Sequence, residues 1–134
     1  MSLIETITFS NLDNGSANLF AFENNKNIPF EIKRVYCIMD AGSNPRGFHA
    51  HKMLKQVAVC LKGSCRFVLD DGSIKEENVS LNSPANGLVL HEMIWHEMHD
   101  FSKDCVLLVL ASEKYDESDY IRSYDEFLKV TQHA

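Results

Sequence analysis

The chain has 134 residues, 45% of them hydrophobic and 24% charged, with 13 Lys+Arg against 19 Asp+Glu. That length predicts one domain over residues 1–134, able to bury about two-thirds of the surface of its extended chain without disulfide staples or a structural metal. A net charge near −6 and no Lys/Arg cluster exclude a nucleic-acid or anionic-membrane surface, because counterion release requires dense positive charge.

The first nine residues lack a basic segment followed by a long apolar one, and no window reaches the roughly 18–20 apolar residues of a membrane span. A cytoplasmic protein is expected. Strands are predicted at 5–9, 18–22, 30–39, 55–61, 65–69, 88–90 and 106–111, from short apolar or alternating runs. Turn chemistry separates them at Asp13-Asn14-Gly15, Ala41-Gly42-Ser43-Asn44-Pro45, Lys62-Gly63-Ser64 and Asp70-Asp71-Gly72. Only 116–130 carries helical spacing, with Tyr120, Ile121, Tyr124, Phe127 and Leu128 on one stripe. Many short strands and one terminal helix predict an all-β sandwich or barrel.

Side chains on a strand alternate faces. One face of 30–39 holds Phe30, Ile32, Arg34, Tyr36 and Ile38, so an inward orientation sets a guanidinium and a phenol among apolar groups, where each needs a partner. A polar ligand would supply one; an Arg34 reaching the barrel mouth and a Tyr36 bonded to backbone would serve equally. Next comes Arg46-Gly47-Phe48-His49-Ala50-His51-Lys52. His49 and His51 point to one face of a strand about 7 Å apart, so two imidazoles address one bound molecule. Cys37, Cys60, Cys65 and Cys105 form no Cys-x-x-Cys pair and are expected as buried free thiols, with Cys60 and Cys65 facing each other across a hairpin.

From His49 the spacing is His-x-His, four residues, Gln56, six residues, Gly63, which resembles the first motif of the cupin superfamily of small jelly-roll barrels. Metal cupins commonly carry Glu at the Gln56 position and a third histidine on a later strand. Here Pro84-Ala85-Asn86-Gly87-Leu88-Val89-Leu90 only echoes the second motif, and its third-histidine position is Leu90. Two histidines are a poor site for Fe, Mn or Zn, so no metal and no cofactor are expected. His91 and His99 read as surface residues.

Four stretches together are more specific: Ile28-Pro29-Phe30-Glu31-Ile32-Lys33-Arg34-Val35-Tyr36, the Arg46–Lys52 motif, Trp95-His96-Glu97-Met98 with Asp100-Phe101-Ser102, and Tyr115-Asp116-Glu117-Ser118-Asp119-Tyr120-Ile121-Arg122 with Tyr124-Asp125-Glu126-Phe127-Leu128. In this order they resemble the dTDP-4-keto-6-deoxyglucose 3,4-ketoisomerases, the WxcM-like small cupins. The resemblance implies a metal-independent isomerase that moves the ketone of a dTDP-linked 4-keto-6-deoxy sugar from C4 to C3, supplying amino sugars for bacterial surface polysaccharide. It also implies a homodimer of cupin-type jelly-roll barrels in which N-terminal strands are swapped.

Shifting a ketone needs a base at C3, a hydrogen-bond donor for the enediolate oxygen and a proton for C4. His51 is assigned the first role, His49 the last, and Tyr36 or Arg34 the oxyanion. Arg46, in the loop before the histidines, is the first choice for the pyrophosphate, followed by Arg34 and Arg122. Arg122 lies in an acidic segment, where pairing with a carboxylate is the competing reading. Gln56 and Trp95 are further candidate substrate contacts, Trp95 by stacking on thymine, although a single Trp is more often core. Three other readings stay open: a sugar-nucleotide 3,5-epimerase, a non-catalytic ligand-binding cupin and a metal-dependent cupin oxygenase.

Overall fold

The computed structural model describes residues 2–13, 15–73 and 76–132. Its strands are β1 (Thr6–Thr8), β2 (Arg34–Met39), β3 (Arg46–His51), β4 (Gln56–Lys62), β5 (Cys65–Asp70), β6 (Glu76–Leu81), β7 (Asn86–Leu90), β8 (Trp95–His99), β9 (Val106–Ala111) and β10 (Tyr120–Ile121), followed by helix α1 (Tyr124–Gln132). They form two five-stranded sheets, β1-β7-β4-β9-β2 and β10-β3-β8-β5-β6, in which every neighbouring pair is antiparallel. The expected all-β architecture with one short C-terminal helix is present. No helix among the described residues is long and apolar enough to cross a membrane.

The two inner faces meet in one apolar core. Ala58, Cys60, Leu88, Leu90, Leu107 and Val109 of the first sheet pack with Cys65, Phe67, Leu69, Leu81 and Met98 of the second. At about 25 cal/mol per Å2 of apolar surface removed from water, each of the Leu, Val, Phe and Met side chains contributes roughly 1.5–3 kcal/mol, which drives the sheets together. β2 obeys the predicted alternation: Arg34, Tyr36 and Ile38 turn inward and Val35, Cys37 and Met39 stay exposed. Cys37 therefore departs from the expectation of four buried thiols; the other three are buried.

The expected strand at 18–22 is absent. Phe20 and Phe22 instead pack with Phe9, Ile28, Phe30 and Ile32 on Val57, Val59, Val89 and Leu110, the outward residues of β4, β7 and β9. An apolar run there covers a sheet rather than joining one. β1 pairs with β7 of its own chain, Thr6 opposite Leu88. Asn14 of the first expected turn lies outside the described residues.

The expected helix at 116–130 is broken. Asp116 accepts the Ser118 amide at 3.0 Å and starts a single 3-10 turn, Glu117–Asp119; β10 then pairs with β3, Tyr120 opposite His51. Ser123 caps α1 by accepting the Glu126 amide at 3.3 Å, a Ser-x-x-Glu start signal, and Phe127 seals the helix against Trp95, Ala50 and Ile121. Local capping chemistry outweighed the helical periodicity.

Candidate active site

A bulge in β3 sets the site. Gly47 pairs with Glu97 and His49 with His96, so Phe48 is an extra residue, with φ of 59° and its ring out against His99. Gly47 itself has φ of 88°, and a Cβ there would approach the His96 carbonyl to 3.0 Å, so glycine alone fits. Uninterrupted alternation would put Arg46 and His49 on opposite faces. The extra residue puts both on the inner face, since Arg46 pairs with inward-facing Met98 and His49 with inward-facing His96.

Three imidazoles then converge. Ring centroids lie 4.9 Å apart for His49 and His51, 4.5 Å for His49 and His96, and 6.0 Å for His51 and His96, with Tyr120 edge-on to His51 at 4.3 Å. Burial is the largest influence on each and disfavours the cation: His51 is pushed down to about 3, further lowered by His49, Arg122 and Arg34, and His96 lies well below the ordinary value. His49 is lowered less, because the Gly47 carbonyl, 3.1 Å from Nδ1, opposes its burial. All three are neutral near pH 7. The His51 ring nitrogens have no hydrogen-bond partner; Asp119 Oδ2, at 3.5 Å from Nδ1, is near enough to stabilise an imidazolium without bonding the neutral ring. Asp119 is held by the Met53 and Leu54 amides at 2.9 and 3.2 Å.

From the opposite sheet, Arg34 lays its guanidinium over the rings of Tyr36 (4.6 Å) and Tyr115 (5.2 Å) and leaves Nη1 buried without a partner. Gln56 Nε2 donates to the Tyr36 hydroxyl at 2.8 Å. The phenolic proton is consequently free to bond a ligand oxygen. Burial raises the Tyr36 pKa, the Gln56 hydrogen bond opposes this, and Arg34 and Arg46 lower it less, so the phenol stays protonated. Arg34, His51, Asp119, Tyr115 and Tyr120 line a cleft of ≈ 910 Å3.

Five expected residues thus gather on the inner face: His49, His51, Tyr36, Arg34 and Arg46, the last exposed and without an ion-pair partner among the described residues. Three further expected contacts face away from the cluster or are already engaged with other side chains. Trp95 faces the other side of β8, packed on Phe127 and Tyr124 and donating to Glu97 at 3.0 Å, because period two sends it opposite to His96. Gln56 is fully buried and spends its amide on Tyr36, which makes it a positioning residue. Arg122 forks onto Glu117 at 2.7 and 2.9 Å over the Tyr120 ring, the carboxylate pairing that competed with a phosphate role.

His96 was missed as a site residue. The sequence contained the signal, since placing Trp95 outward on a strand places His96 inward. Its presence also corrects the premise that a third imidazole is lacking: nitrogens of His49, His51 and His96 lie within 4.8 Å of one another, and such a set could hold a divalent ion. Asp119 and Tyr120 were missed because a helix was expected where β10 forms. His91 and His99 pair with Glu5 and Glu97, each at 2.9 Å, outside this cluster.

Two sheets enclosing paired histidines define a small cupin-like barrel, and comparison with known proteins gives its family. Residues 2–132 match the family model "FdtA: WxcM-like, C-terminal", and the chain belongs to that family. It is 60% identical over 126 residues to the TDP-4-oxo-6-deoxy-alpha-D-glucose-3,4-oxoisomerase of Aneurinibacillus thermoaerophilus, covering 93% of this chain and 90% of the relative. The crystal structure of QdtA, a sugar 3,4-ketoisomerase from Thermoanaerobacterium thermosaccharolyticum in complex with TDP, superposes with a TM-score of 0.93 at 42% identity, over 97% of this chain and 95% of that one. A histidine-to-asparagine mutant of QdtA, solved with TDP-4-keto-6-deoxyglucose, gives 0.94 at 40% identity over 99% and 96%.

Proposed function

We propose that this chain is a 3,4-ketoisomerase of a dTDP-linked 4-keto-6-deoxy sugar, acting by histidine-mediated proton transfer. The observation that carries the reading is the pairing of neutral His49 with neutral His51, which lines one cleft with Arg34, His51 and Arg34 both leaving buried nitrogens unpartnered. The similarity to named 3,4-ketoisomerases supplies the substrate class.

His51, kept neutral by burial, takes the C3 proton, and negative charge develops on the C4 oxygen. Asp119 offsets the charge that His51 acquires. The free phenolic proton of Tyr36, aimed by Gln56, and the buried Arg34 Nη1 bond the oxyanion, where a fixed donor in a dry site is worth more than in water. The C4 oxygen takes up the proton that the C3 hydroxyl gives up as the ketone forms at C3, the C4 carbon receives through His49 a proton replacing the one His51 removed from C3, and the hydrogen count is unchanged. No cofactor enters this scheme. Arg46, inward-facing yet exposed and without an ion-pair partner among the described residues, takes the pyrophosphate.

The same reading extends to one domain over residues 1–134, a cytoplasmic location, supply of deoxyamino sugars for surface polysaccharide and a strand-swapped homodimer, in which β1 would take beside the partner subunit's β7 the place it holds here beside β7 of its own chain. Its test is incubation of EDTA-treated protein with the 4-keto nucleotide sugar in heavy water. The expected result is deuterium at C4 and a ketone signal moved to C3 by NMR; an inverted centre with the ketone still at C4 would indicate an epimerase, and absence of exchange a binding protein. Activity that vanishes with EDTA and returns with a divalent ion would replace the metal-independent scheme.

A further inference from the structure

The end of the barrel away from the cleft carries a second convergent cluster. Cys60 is four residues along β4 from Gln56, about 13 Å at strand spacing. Its sulfur and those of Cys65, at the start of β5, and Cys105, just before β9, all lie within 4.8 Å of one another, with Cys60 and Cys105 at 3.6 Å. None is in a disulfide, and none is more than 4% exposed.

The backbone around these thiols is tightly fixed. The Ser64 amide donates to Ser102 Oγ and the Ser102 amide to the Ser64 carbonyl, both at 2.9 Å, tying the β4–β5 turn to the loop that carries Cys105. Gly63, with φ of 73°, is pressed so close that a Cβ would come within 2.8 Å of Cys105 Cα. Cysteines acting only as small hydrophobes need not face one another. A metal–sulfur bond of about 2.3 Å sets three coordinating sulfurs about 4 Å apart, which these side chains reach by small χ1 adjustments.

We propose that Cys60, Cys65 and Cys105 form a thiolate site for one soft divalent d10 cation, of the Zn2+ or Cd2+ kind, separate from the sugar cleft. Three S–H bonds break, three sulfur–metal bonds form, three protons leave to solvent and no electrons move. A divalent ion leaves a single negative charge in this apolar surrounding, where a monovalent one would leave two.

The test uses the Cys37→Ser chain, which removes the exposed thiol, reduced, chelator-stripped and titrated with Cd2+ without oxygen. A sulfur-to-cadmium charge-transfer absorption is expected to plateau at one ion per chain, with about three protons released and reversal by excess Zn2+. The band should persist in His51→Asn, which separates it from binding at the imidazoles, and vanish in Cys105→Ser. Should that variant fail to fold, wild-type protein decides: one equivalent of Cd2+ should slow alkylation of all three thiols, read by mass spectrometry, by about tenfold or more. No plateau, a band that survives Cys105→Ser, unchanged alkylation, or a Cys60–Cys105 disulfide in protein that takes up no cadmium would each overturn the site.

Discussion

The two ends of the barrel are built alike and behave oppositely. Each gathers three side chains of one kind: imidazoles from the neighbouring strands β3 and β8 of one sheet at one end, thiols from both sheets at the other. The imidazole end opens into a cleft and leaves buried nitrogens on His51 and Arg34 without partners. The thiol end is shut by the Gly63 turn and the Ser64–Ser102 hydrogen bonds. Unpaired buried polarity has a free-energy cost, and a fold retains it where a ligand will satisfy it; closure by backbone indicates a place built to exclude the substrate.

The largest expected effect is on the open end. His51→Asn should lower kcat by about 10³-fold, the usual contribution of a positioned base, with the thermal midpoint changed little. Full activity in that variant would return both ends to structural roles. Tyr36→Phe should follow, lowering kcat by about 10²-fold and KM by much less, because the phenol's proton bonds charge that exists only in the transition state. At the closed end, Gly63→Ala should cost about 2–4 kcal/mol in denaturant unfolding, since it combines a positive φ with overlap on Cys105, and kcat per folded molecule should hold. Arg46→Ala should raise KM for the nucleotide sugar about tenfold against little change for Lys52→Ala; equal effects would move the pyrophosphate elsewhere.

Acid provides the smallest and most selective probe. The three histidines are held below their ordinary pKa by burial, so below about pH 6.5 the unfolded chain binds protons that the folded one refuses. Stability contributed by these groups is present above pH 6.5 and lost progressively as pH falls toward the folded value, about 3 for His51. His51→Asn should flatten the acid limb of a stability–pH curve by up to about 1.4 kcal/mol per pH unit. A limb of unchanged slope would mean that His51 is already solvated in the folded state.

Much of this organisation could be read from the chain because period two is a strong signal on half-buried strands. It put Arg34 with Tyr36 on one face of their strand and His49 with His51 on one face of theirs, and in the structure both faces turn inward. It failed where something other than alternation decides. Phe20 and Phe22 are apolar because they cover a sheet, and residues 117–121 carry helical spacing but obey the Asp116 turn and the pairing of β10 with β3. Trp95 has the chemistry to stack on thymine, but period two decides its side: it packs on Phe127 while its neighbour His96 turns inward. Asp119 could not be found by pattern, since it meets His51 only through a contact 68 positions away in the chain.

The extra residue at Phe48 bears on how this pocket can change. A substitution at Phe48 alters only an outward ring, whereas its deletion would restore plain alternation and turn Arg46 to the outside while His49 and His51 stayed in place. Proton-transfer chemistry and anion affinity are therefore separable by a length change of one residue. A library built from insertions and deletions in this strand could explore neutral sugar ligands that point mutagenesis would leave out of reach.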